Sequence, residues 1–225
     1  VSLRVGQGFD AHRFAATGTG RELWLAGLHW TAQCGAARTV GAANGGAVDA
    51  AGAAVDVAGA VDGGVICDTA SDAGDATAGG AVDCAAVGTV DYEGIEGDSD
   101  GDVAVHALID ALLSASSLGD IGTVFGVGAD AHGAGMHGVD MLGETVCRLR
   151  HAGCTPMSAS VTIIGNRPKI GTRRHEAEAT LGKAAGCHIS ITATTTDGMG
   201  FTGRGEGVAA IASALVEDAG SHLSR

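Results

Sequence analysis

Residues 8–12 read Gly8-Phe-Asp-Ala-His12, a few positions into the chain. Leu3 to Phe9 reads as a strand, and on an extended chain side chains two apart point to one face. Asp10 and His12 therefore project together. A carboxylate beside an imidazole supplies two of the three protein ligands of a zinc site whose fourth position stays open for chemistry. The candidate for the third ligand is His106, in Ser99-Asp-Gly-Asp-Val-Ala-Val-His106, where a helix begins. By itself an Asp-x-His triplet does not separate a metal site from an ordinary surface strand, so the surrounding chain has to decide.

Working outward, Glu22 to Trp30 reads as a second strand after a Gly-rich turn at 18–20. Ser99-x-x-Asp102 has the pattern of a helix N-terminal cap, and Val103, Ala107, Leu108, Ala111 and Leu112 follow at helical spacing, with Gly119 closing the helix. A second helix is predicted from about Val139 to Ala152, with Leu142, Val146 and Leu149 on one face. Ser158 to Ile164 alternates as a strand, Arg173 to Ala185 reads helical, and Ser190 to Thr196 reads as a strand. Gly207 to Val216 stays open: its alanines suit a helix, and its alternation of larger and smaller residues suits a strand. The order of elements predicts an α+β fold, a two-layer sandwich of a mixed sheet with helices on one face.

Acidic residues (26) outnumber basic ones (13) in the 225-residue chain, which argues against a nucleic-acid surface. No apolar stretch of membrane-spanning length or exported leader is visible, and the six scattered cysteines lack a Cys-x-x-Cys pair. The expectation is a cytoplasmic protein with reduced thiols and no membrane partner. Charge is uneven. Residues 31–93 are almost wholly Ala, Gly, Val, Asp and Thr, with nine acids against the single base Arg38, and Ala-Val-Asp recurs four times without a fixed period. Such a segment has little large apolar surface to offset the entropy of ordering. It reads as a low-complexity insertion in a single domain spanning 1–225 rather than as a second domain.

Six motifs in register carry a resemblance. Asp10-Ala-His12, Ser99 to His106, Gly119-Asp-Ile-Gly122, Gly165-Asn-Arg-Pro-Lys-Ile170, Thr194-Thr-Thr-Asp197 and Gly200-Phe-Thr-Gly-Arg-Gly-Glu-Gly207 stand in the order seen in the 2-C-methyl-D-erythritol 2,4-cyclodiphosphate synthases. Glu22 to Trp30 and the Asn-Arg-Pro-Lys-Ile run resemble the actinobacterial branch. The resemblance covers 2–30 and 94–217. It implies a homotrimer with active sites between neighbouring subunits, acting in non-mevalonate isoprenoid precursor synthesis as a phosphorus–oxygen lyase. The 2-phosphate of 4-diphosphocytidyl-2-C-methyl-D-erythritol 2-phosphate attacks the β-phosphorus, closing the cyclic diphosphate and expelling CMP. Because the nucleophile is already an anion, no Ser-His or Cys-His machinery is required; positioning and charge neutralisation suffice.

On the same resemblance Asp10, His12 and His106 bind one Zn2+ per site, and Asp197 helps place a second divalent cation, Mg2+ or Mn2+. Asp102 either accepts the second ring N–H of His106 or caps the helix. Ser99 contacts substrate, and Asp120 and Gly122 hold the methylerythritol. Gly165, Pro168, Lys169 and Ile170 belong to the cytidine pocket. Thr194 and Thr196 bind the diphosphate, and Thr195 stabilises the transition state. Phe201 and Arg204 lie in the segment near the trimer axis, where Arg204 meets either phosphate or Glu206.

The chain departs from the family in three places. Asp98 stands where the family has a histidine credited with transition-state stabilisation, and a carboxylate there would repel phosphate. The loop after Asp120 has Phe125-Gly-Val-Gly-Ala where many relatives place acids. The insertion enters beside the Gly97-Asp98-Ser99 loop. Two alternatives follow: a homologue that binds metal and cytidine nucleotide with impaired turnover, and a scaffold whose acidic insertion recruits a partner.

Overall fold

The computed structural model describes residues 1–30 and 93–220. The stretch read as an insertion, apart from Glu93, lies outside the described residues, as do Cys34, Cys67 and Cys84. Cys147, Cys154 and Cys187 are unpaired thiols.

Strand β1 (Ser2–Arg13) runs longer than the sequence suggests and carries both Asp10 and His12. Glu22 to Trp30 is not one strand. It is a hairpin of β2 (Leu23–Leu25) and β3 (Leu28–Trp30), turning at Ala26 and Gly27, whose φ angles are 55° and 73°. An alanine at positive φ is disfavoured by its Cβ, so this turn needs outside support. Asp102 provides it, accepting from the backbone N–H groups of Ala26 (2.9 Å) and Gly27 (2.6 Å).

Asp102 is also the N-cap of helix α1 (Val103–Ser116), accepting from the N–H groups of Ala104 and Val105. Hence the helix starts at Asp102 rather than Ser99, and it ends at Ser117 in the left-handed conformation, two residues before Gly119. The short helix α2 (Ile121–Phe125) follows, then α3 (Gly138–His151), strand β4 (Cys154–Ile164), a 3-10 turn (Ile170–Arg173), α4 (Arg174–Ala185), β5 (His188–Thr194), the one-turn α5 (Gly200–Gly203) and β6 (Gly207–Asp218).

The open segment resolves as a strand because β6 is the seam of the sheet. Strand order is β1-β6-β4-β5, with β6 antiparallel to both neighbours and β4 parallel to β5 through the α4 crossover. Val208, Ala210, Ala212, Ala214 and Val216 on one face of β6 are buried under helices. Small residues there, and bare glycines on β1, let α1 lie close on the sheet. A Cβ at Gly8 would fall 2.0 Å from the Ala107 carbonyl oxygen, and one at Gly6 2.1 Å from that of Ala111. The predicted α+β layering with a mixed sheet is what forms. The other sheet face carries Leu3, Val5, Phe9 and Ile211, between 43% and 72% exposed. Among the described residues, no helix is long and apolar enough to cross a membrane.

Candidate metal and substrate site

Asp10 and His12 leave β1 on its helix-covered face, where the first turn of α1 presents His106. The three side chains converge: their candidate ligand atoms all lie within 4.8 Å of one another. His106 Nδ1 is 3.0 Å and His12 Nε2 3.1 Å from the same oxygen, Asp10 Oδ2, and the two rings meet edge-on at 5.5 Å. Burial works to raise the Asp10 carboxyl, but hydrogen bonds from His106 and His12 prevail and hold it well below the ordinary carboxylate range. Burial also favours a neutral His106. The Asp10 contact, helped by the charges of Asp102 and Asp100, overcomes this and raises its pKa.

Two imidazole nitrogens and one carboxylate oxygen, open on one side to a cavity, are a donor set that suits a divalent cation of the zinc type, whose bonds are ~2.0–2.2 Å. The residues present fit such an ion.

Of the two roles open to Asp102, the structure shows the helix cap, and the second His106 nitrogen meets Ser99 instead. Ser99 Oγ lies 3.0 Å from His106 Nε2 in a buried contact. Asp102 is fully committed to the cap and the hairpin turn. Burial, then the neighbouring Asp100 charge, push the Asp102 carboxyl up to about 6 against the pull of those backbone donors.

The cavity beside the cluster, of about 190 Å³, is lined by Asp10, His12, Asp98, Ser99 and His106 on one side and by Ile121, Gly122, Phe125 and Val127 on the other. Asp98 does face it, and its Oδ2 accepts from Gly128 N at 2.7 Å, tying down the loop after α2. Gly122 lines the cavity, whereas the exposed Asp120 carboxylate caps α2 by accepting from Thr123 N at 2.7 Å. Two residues here were missed from sequence. Asp110 accepts from Ile121 N at 2.7 Å and fixes the start of α2; its signal was the one carboxylate within a mostly apolar helix. Arg21, in the loop before β2, carried no sequence signal.

A second cavity, of about 390 Å³, lies at the C-terminal ends of β4 and β5 and shares no lining residue with the first. Gly165, Pro168, Lys169, Ile170, Thr194 and Thr195 line it. Asn166 fastens this loop by donating to Gly203 O at 2.8 Å, and Arg167 pairs with Glu93 and stacks on Phe14. Thr195 Oγ1 donates to Asp197 Oδ1 at 3.0 Å. Thr196 turns away onto Met199 O and Thr202. Phe201 is 40% exposed, and Arg204 forms an exposed 2.6 Å ion pair with Glu206. Within one chain, therefore, Lys169, Thr195 and Asp197 do not line the cavity of Asp10, His12 and His106.

The YgbB family matches residues 69–217, a span that starts inside the 31–93 stretch and leaves out Asp10 and His12. A 2-C-methyl-D-erythritol 2,4-cyclodiphosphate synthase of Bifidobacterium longum (strain NCC 2705) is 56% identical over 217 residues, covering 96% of this chain and 97% of the relative. That alignment runs through the 31–93 stretch, which is thus not peculiar to this chain. The synthase of Acidothermus cellulolyticus is 36% identical over 213 residues, covering 95% and 93%. Among solved structures, a 2C-methyl-D-erythritol-2,4-cyclodiphosphate synthase in a CDP-bound form superposes with a TM-score of 0.61 at 25% identity, covering 95% of this chain and 100% of that one. A Plasmodium falciparum protein in complex with CDP superposes at 0.60 and 16% identity, covering 96% and 97%.

Proposed function

The chain belongs to the YgbB family, the 2-C-methyl-D-erythritol 2,4-cyclodiphosphate synthases, and we propose that it catalyses their reaction in a metal-dependent way. The substrate is 4-diphosphocytidyl-2-C-methyl-D-erythritol 2-phosphate. An oxygen of the 2-phosphate forms the new bond to the β-phosphorus, the bond from that phosphorus to the α-phosphate oxygen breaks, and CMP leaves with the electron pair. The observation that carries this reading is the convergence of Asp10, His12 and His106 on the wall of a cavity.

A divalent cation on those three residues, proposed to be Zn2+, would neutralise diphosphate charge as it builds. The chain's own groups do the holding. Asp98, Ser99 and Gly122 line the cavity on the methylerythritol side, with the Asp120 carboxylate just outside it at the α2 cap. The peptide groups of Gly165 to Ile170 face the cytosine, and the Lys169 ammonium offsets nucleotide phosphate charge. Thr194, Thr195 and Thr196 offer hydroxyls near the diphosphate, and Asp197 helps hold a second cation, Mg2+ or Mn2+. Asp98 serves as the acceptor that anchors the Gly128 loop, which gives the carboxylate a structural role on the wall of the cavity. CDP in a solved relative supports a cytidine nucleotide as a ligand, and the family resemblance assigns it to the second cavity.

The trimer is what the family resemblance implies, and two observations support association with composite sites. The metal-binding cluster and the Lys169–Thr195 cavity are separate in one chain, and the uncovered sheet face exposes large apolar side chains that one chain cannot bury. The test is CMP release from the diphosphocytidyl substrate, followed after chelation and after return of Zn2+ with Mg2+. The reading requires CMP and cyclic diphosphate in equal amounts, lost on chelation and regained with metal. No CMP from metal-loaded protein rejects it.

A further inference from the structure

Residues 97–99 form the wall against which both imidazoles of the cluster rest. On one side, the buried Ser99 hydroxyl lies 3.0 Å from His106 Nε2, which leaves the opposite nitrogen, Nδ1, facing Asp10. On the other side, the bare Cα of Gly97 lies against the His12 ring: a Cβ there would come within 3.3 Å of His12 Cε1. A shift of this short irregular segment would therefore disturb two of the three ligands at once.

One side chain pins it from behind. Nη2 of Arg21 lies 2.6 Å from the Gly97 carbonyl oxygen and 2.8 Å from that of Ser99. The two N–H bonds of a single guanidinium nitrogen thus reach the carbonyls on either side of Asp98. Arg21 is itself seated, since its backbone carbonyl closely packs on Gly94, where a Cβ would fall at 2.5 Å. It does not line the cavity of the cluster.

We propose that Arg21 is a positioning residue for the metal site, holding the Gly97–Ser99 segment so that Ser99 stays on His106 and Gly97 stays against His12. The inference rests on the reading of Asp10, His12 and His106 as metal ligands. It adds a residue outside the lining of the cluster's cavity, acting through the Gly97 and Ser99 carbonyls. Groups that orient metal-bound histidines through their second nitrogen act on affinity and ligand geometry, and Arg21 acts one step further back.

The test is metal binding, with no substrate involved. Zn2+ and Co2+ affinities are measured by chelator competition for the full chain and for Arg21→Ala, Arg21→Gln, Ser99→Ala and Ser99→Thr. The visible absorption of the Co2+ form and the melting of the metal-free form are recorded alongside. Ser99→Ala is expected to bind roughly ten- to a hundredfold more weakly and Arg21→Ala about tenfold more weakly, both with a changed Co2+ spectrum. Ser99→Thr, which keeps the hydroxyl, should stay near the parent, and Arg21→Gln, with an amide donor, should fall between. Parent-like affinity and spectrum in Arg21→Ala would overturn the inference. So would a loss that merely tracks a lower melting temperature of the metal-free form. Should Arg21→Ala not fold, parent-like binding by Arg21→Gln overturns it equally. If the parent chain itself binds neither ion, the metal reading fails together with this inference, whereas a binding parent with indifferent variants sinks this inference alone.

Discussion

The two cavities hold their polar atoms in different ways. Around Asp10, His12 and His106, the ligand atoms meet one another, Ser99 holds the far side of His106, and Asp102 locks the helix start to the hairpin turn. Around Lys169 and Thr195 the walls are peptide groups, Pro168, Ile170 and small side chains, and the hydroxyl of Thr195 donates to Asp197. The difference fits the division of labour proposed for the two halves. A cation needs charged donors placed in advance, because an unplaced ligand loses directional bonds; a cytosine can be met by backbone groups that the β4–α4 loop supplies anyway.

The comparison breaks first at the ligands. His106→Ala should abolish stoichiometric metal binding and lower CMP release roughly a thousandfold, the equivalent of ~4 kcal/mol of transition-state stabilisation. CDP affinity should stay within about threefold if the halves are independent, which calorimetry on the same variant reads. Next comes the frame. Asp102→Ala removes an acceptor shared by Ala26, Gly27, Ala104 and Val105, all close to a buried carboxylate. A loss of about 3 kcal/mol in denaturant unfolding is expected, from an N-cap plus stranded backbone donors.

On the other side, Lys169→Ala should weaken CDP binding about tenfold, ~1.4 kcal/mol, while Zn2+ affinity is unchanged. The smallest effect sharpens the comparison at Asp98. Asp98→Asn keeps an acceptor for Gly128 N and should leave the rate within about threefold, while Asp98→Ala should cost about tenfold through the freed loop. A large gain in rate for Asp98→His would show instead that the carboxylate impairs this site.

Much of this was legible in the chain because local pattern and tertiary role agree. The Asp10–His12 strand, α3, α4 and β5 follow their periodicities; strand geometry put Asp10 beside His12, while His106 joined them through the family resemblance and its convergence is a finding of the structure. What misled was local chemistry with a distant partner. Ala26 turns a hairpin only because Asp102, far along the chain, holds its N–H. Ser99 looked like a cap and instead holds His106. The alanines of β6 that suggested a helix are the small residues a central strand needs beneath α1. That three of the motifs line one cavity and two others line a separate one could not be read from order in sequence at all, since it depends on where the fold brings each segment.

The central claim, that the two halves complete each other between subunits, is tested most directly by mixing two inactive variants. His106→Ala and Thr195→Ala are unfolded together, refolded at equal ratio, and assayed for CMP release. Random assembly should restore about a quarter of the parent rate, since one site in four then pairs an intact metal half with an intact nucleotide half. A mixture no more active than the two variants refolded apart would contradict it.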